Sequence, residues 1–138
     1  MTGRHRLAPP WASPPTLDDL AAIAEATLAD LPAPFRAAVD GVAIRVADFP
    51  DAATEKHMEL DSPFDLLGLY HGVSIDRKDS AATPHDLDQV FLYRRPILDY
   101  WAESGESLAD IVRHVLIHEI GHHLGFSDAD MHAIEDQA

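Results

Sequence analysis

Between Ser107 and Gly125 the chain reads S-LADIVRHVLIHEIGHHL-G, and this stretch constrains the fold more than any other. Ser107 with Asp110 forms a helix N-cap pattern, and Gly125 stops the helix after Leu124 because glycine accepts positive φ. Leu116, Ile120 and Leu124 cover the back of such a helix, while Ile111 and Val115 flank its other side. A helix apolar over most of its girth belongs at the centre of a molecule. Yet His118 and His122 lie one turn apart on the remaining face, within reach of one ion. Gly121, beside that face, costs about 1 kcal/mol relative to alanine in a helix interior. It implies close approach by a packed helix, or by another backbone or a substrate. The sequence leaves that choice open.

A chain of 138 residues supports one modest core around that helix. Residues 1–15 are proline-rich with little that can pack, and read as a flexible tail. From Thr16, capped with Asp19, Leu17, Leu20, Ala24, Leu28 and Leu31 recur at helical spacing up to Pro32. A short turn or helical piece around Phe35 to Val39 ends at Asp40-Gly41. The period then changes to two: Val42, Ile44 and Val46 alternate as a half-buried strand requires. Residues 51–61 are polar and read as a short helix or a loop. LLGLYHGVSI, residues 66–75, reads as a strand, a turn near His71-Gly72 and the start of a return strand. Residues 77–88 read as a loop. VFLYRRPI, residues 90–97, reads as a third strand, with Pro96 ending it or confining it to a sheet edge. Short helices are expected over ILDYWAES and from about Asp128 to Glu135. The fold class is α+β: a small sheet of three or four strands, helices packed on one side, and a single domain over 16–138.

The chain has no cysteine, so a transition metal must be held by His, Asp or Glu. Zinc takes imidazole nitrogens at about 2.0–2.1 Å, and at catalytic sites three protein ligands leave a fourth place open. Asp128 follows His122 by six residues, with Gly125 between them to turn the chain back and complete a tripod. Asp130 and His132 compete for that third position. Glu119 points off the ligand face by about a quarter turn, free to take a proton from water activated there. By chance, H-E-x-x-H appears in roughly 3% of shuffled chains of this composition; adding the glycine and the third ligand lowers this to roughly 0.03%. His114, one turn before His118, reads as a supporting partner or a plain surface histidine. His123 turns away, and His5, His57, His71 and His85 carry no ligand spacing.

The net charge of -14 makes phosphate backbones and anionic lipids poor partners, so neither nucleic acid nor membrane is expected. The N-terminal residues lack the apolar core of a secretory signal, and no apolar run approaches the roughly 20 residues of a membrane span. The expected location is cytoplasmic.

HEIGHHLGFSDADM strongly resembles the signature of the small bacterial "minimal zincin" metallopeptidase-like family, H-E-x-x-H-H-x-G-x-x-D followed by an acidic and an apolar residue. LLGLYHGV and VFLYRRPI also look like that family's preceding strand segments, so the resemblance covers about residues 16–138. It implies a compact zincin-like fold, one zinc ion held by His118, His122 and Asp128, and Glu119 as catalytic base. The chain departs from larger metzincins: Asp128 stands where they have histidine, and Met131 is too near to form their methionine turn. It is also too short for a second lobe, so a shallow groove is expected.

Three functions compete. The first is a zinc-dependent metallopeptidase acting on a peptide or protein. An extended substrate would then pair with a sheet edge, for which VFLYRRPI is the candidate, and Tyr93, Arg94, Arg95 and Tyr70 are weighed as oxyanion partners against plain packing or solvation. The second is a non-catalytic, zinc-stabilised binding or regulatory module. The third is a metal-dependent endoribonuclease, because bacterial ribosomal-RNA-processing enzymes use a similar His-x3-His-x5-His arrangement; the charge and Asp128 count against it. Sites with two histidines and an aspartate also accept iron, cobalt or manganese.

Overall fold

The computed structural model describes residues 13–72 and 88–136. The expected tail falls mostly on residues 1–12, and the return strand and most of the 77–88 loop on residues 73–87. Those segments, with His5 and His85, lie outside the described residues.

Helix α1, Leu17–Ala29, begins with the expected capping box: Asp19 N donates to Thr16 Oγ1 at 3.0 Å and Thr16 N to Asp19 Oδ2 at 2.8 Å. Its Leu20 and Ala24 are buried, whereas Leu17 stays at the surface. The short α2, Ala33–Ala38, buries Phe35 and is followed by buried Val39. Strand β1, Ala43–Ala47, leads to α3, Ala52–His57, which settles the ambiguous polar stretch as a helix capped by Asp51. A single 3-10 turn, Pro63–Asp65, precedes β2, Gly68–His71.

Strand β3, Gln89–Tyr93, runs straight into α4, Arg94–Ser104. The expected strand over 90–97 therefore stops at Tyr93. Pro96 lies in the first turn of α4, where a missing N–H costs nothing because those donors have no helical partner. The sheet order is β1-β3-β2, with β1 parallel and β2 antiparallel to β3. So β3 is the central strand and not an edge; among the described residues the edges are β1 and β2.

Helix α5, Leu108–Leu124, packs with α1 against one sheet face, and α6, Asp128–Asp136, folds back onto α5. Val90 and Leu92 of β3 meet Ile111, Val112, Leu116, Ile117 and Ile120 of α5 in one dry core. The centrality expected of α5 holds, although Leu124 reaches the surface while Val112 and Ile117 are buried. The other sheet face is covered only in part, by Phe49 and the start of α3. The result is a compact α+β fold with its longest helix next to its C-terminal end.

Candidate metal centre

The centre is built at the turn between α5 and α6. Ser107 Oγ accepts from Asp110 N at 3.1 Å and starts α5 in register. Gly125 ends it at φ 83°, with Phe126 N donating back to Gly121 O at 2.8 Å. That left-handed residue is strained for any side chain but costs glycine nothing, and it reverses the chain within a few residues. A reciprocal cap then starts α6: Asp130 N donates to Ser127 Oγ at 3.1 Å and Ser127 N to Asp130 Oδ2 at 3.2 Å. Met131, fully buried, lies where a Cβ on Gly121 would have to go. The choice left open for Gly121 is thus resolved as close helix packing, which lets α6 approach α5.

This hairpin brings His118, His122 and Asp128 together, each offering a ligand atom within 4.8 Å of the others. His122 Nε2 and Asp128 Oδ1 are 3.6 Å apart. Two ligands of a tetrahedral ion at bond lengths near 2.0–2.1 Å stand about 3.3 Å apart, so the pair needs little adjustment to share one. His118 is mostly buried and Asp128 is 82% exposed, which makes the centre a surface feature with one firm wall. Among the described residues neither rival third ligand joins this group. Asp130 is committed to capping α6, and the His132 ring stands 6.2 Å from that of His118, outside the group.

Glu119 lies beside the trio and turns towards the sheet. Its Oε1 accepts from the backbone N–H of Tyr70, on the edge strand β2, at 3.1 Å. Burial pushes its carboxyl above the ordinary range; the Tyr70 N–H and the positive charge available on His122 and His118 oppose that shift. The Tyr70 ring stacks on His123 at 3.9 Å, and burial with the nearby Asp88 carboxylate drives its hydroxyl well above the usual tyrosine range. A phenol so placed stays protonated.

Other residues weighed from the sequence are structural. Arg94 ties the chain together, donating from Nε to Pro15 O at 2.6 Å and pairing with Asp48 at 3.0 Å. Arg95 sits 5.5 Å from the Phe49 ring centroid. Tyr93 faces the far side of the sheet, where it lines a groove with Asp51 and Thr54. The substrate-edge expectation for VFLYRRPI fails with the central position of β3; the edge beside Glu119 belongs to β2. His114 proves to have a partner that sequence reading missed, Glu135. One carboxylate oxygen, Glu135 Oε1, lies 2.8 Å from His118 Nε2 and 3.2 Å from His114 Nδ1. The available signal was periodicity: Asp128, His132 and Glu135 share a face of α6 as His114, His118 and His122 share one of α5.

Two imidazoles a turn apart, a carboxylate returned by a glycine turn and a half-buried glutamate alongside define a centre that could hold a catalytic metal ion. The chain belongs to the zincin-like metallopeptidase family, whose model matches residues 39–138. No curated protein matches the chain. Membership implies zinc, and the nitrogen and oxygen donors gathered here fit that ion. Among the described residues no helix is long and apolar enough to cross a membrane.

Proposed function

We propose that the protein is a zinc-dependent peptidase in which His118, His122 and Asp128 hold the ion and Glu119 is the general base. The observation that carries this reading is the Glu119 carboxylate, half-buried beside the three-ligand group and oriented by the Tyr70 N–H. When bound, zinc supplies a Lewis acid that makes water nucleophilic near neutral pH and polarises a carbonyl.

The chain's own residues do the rest. Glu119 takes a proton from the attacking water as its oxygen bonds to the scissile carbonyl carbon. It then delivers that proton to the amide nitrogen as the C–N bond breaks, so that acid and amine leave without a net change at the base. Its raised proton affinity suits a group that must hold a proton between the two steps. Among the described residues β2 is an edge strand beside Glu119, and pairing there is the route by which an extended peptide would reach the base. The open setting of Asp128 favours a protein loop or an unstructured peptide as substrate, and the acidic surface disfavours RNA.

Glu119→Gln tests the assignment: zinc content should stay at the parent level while cleavage of a peptide library falls by about 10³-fold or more. A variant that cleaves as well as the parent ends the general-base reading. One observation favours a second reading, a non-catalytic zinc-stabilised binding module: Glu135 already lies against His118 Nε2. On that reading, zinc removal lowers the melting temperature and no peptide in the library is cut by either protein.

A further inference from the structure

The α5–α6 hairpin carries more ligand chemistry than one metal ion needs. On α5, His114, His118 and His122 succeed one another at intervals of one turn; on α6, Asp128, His132 and Glu135 do the same in the opposite direction. Packed antiparallel, the two stripes form a ladder. Asp128 meets His122 at one end, His132 stands edge-on to His118 in the middle, and Glu135 meets His118 and His114 at the other end. The second group, His114, His118 and Glu135, also offers ligand atoms all within 4.8 Å of one another. The His114 and His118 rings lie 4.1 Å apart, and the same Glu135 oxygen contacts a nitrogen of each.

We infer that His114, His118 and Glu135 form a second seat for a divalent transition cation, alternative to the seat at His118, His122 and Asp128. The proposal rests on the reading that the first seat is the metal site. The two seats share His118, whose Nε2 faces Glu135 and can bind one ion at a time. A cation held there through Nε2 competes with the first seat for that imidazole and leaves His122 and Asp128 to hold the first. Two neutral imidazoles and one carboxylate suit zinc, cobalt or manganese and disfavour calcium or magnesium, which prefer oxygen.

The test is metal titration of the full chain, reading zinc affinity by competition with a chromophoric chelator and ligand geometry from the visible absorption of bound cobalt. Asp128→Asn should still take one ion, more weakly than the parent. Asp128→Asn/Glu135→Gln should bind at least about tenfold more weakly than Asp128→Asn, the loss expected for one charged ligand. Asp128→Asn/His114→Asn should show the same loss and serves if the other double variant fails to fold; His132→Asn in the same background should not. Equal affinity of Asp128→Asn and both double variants overturns the second seat, whatever becomes of the first. If instead Asp128→Asn binds like the parent and Glu135→Gln alone abolishes binding, the first seat is wrong and the second stands. Two tight ions per parent chain would overturn the exclusion between them.

Discussion

On the sheet face towards α5, Val90 and Leu92 are completely buried and belong to one apolar core with residues of α1, α5 and α6. On the opposite face, Phe91 and Tyr93 stack at 6.2 Å and line a groove of about 210 Å³ with Leu69, His71, Asp51 and Thr54. The groove is a cavity with a defined volume, yet among the described residues both convergent ligand groups lie on α5 and α6, beyond the margin of the dry face. The difference has a physical origin. Metal ligation needs side chains that converge on a point and are held from behind, whereas concavity matters for ligands bound by area. Here the firm backing is the core itself, and the side of the centre that carries His122 and Asp128 is open to solvent.

That contrast can be broken or sharpened by substitution. The largest effect falls on the dry face: Leu116→Ala should cost about 2–5 kcal/mol of stability in denaturant unfolding, as a buried truncation that leaves a cavity does. Metal affinity should weaken with it, since α5 carries both histidines. A loss below about 1 kcal/mol would show that this helix is less firmly backed than its burial implies. On the far face, Tyr93→Phe removes a hydroxyl that lines the groove with Asp51 and Thr54 and should cost at most about 1.5 kcal/mol. Zinc affinity and cleavage should not change, and a drop in turnover in this variant would bring the groove into the reaction.

The smallest effect lies at the margin between the two. Glu119 has its carboxyl pKa raised by burial, so the stability tied to its protonated form is present at low pH and lost as pH rises through the raised value. In chelator-treated protein, Glu119→Gln should match the parent in acid. Towards neutral pH it should become the more stable by at most about 1 kcal/mol after solvent screening. Thermal melts across that range decide it. A variant that loses stability at neutral pH would mean that the charged carboxylate is better satisfied than its single Tyr70 bond indicates.

How much of this was legible beforehand follows the range of each interaction. The Thr16–Asp19 and Ser107–Asp110 caps, the His118–His122 spacing, the Gly125 turn and the return of Asp128 are all set within a few residues, and the structure places them together as the spacing suggests. Pro96 was misread because a proline just past a strand end looks the same locally whether it closes a strand or opens a helix. The central position of β3 depends on strand order, which no local pattern encodes. Glu135 was missed because its partners His118 and His114 lie 17 and 21 residues away and meet it only once α6 docks. Its helical phase relative to Asp128 was visible; the direction in which the hairpin would close was not.

Gly125 has a consequence for the order in which this molecule can assemble. Everything from His114 to Glu135 belongs to one continuous length of chain, folded on itself by that single left-handed residue. Closing so short a loop costs little chain entropy, while β1 must find β3 across more than forty intervening residues. The contacts between α5 and α6 can therefore form without waiting for β1 to find β3, although α5 gains its firm backing only when the sheet and α1 close over it.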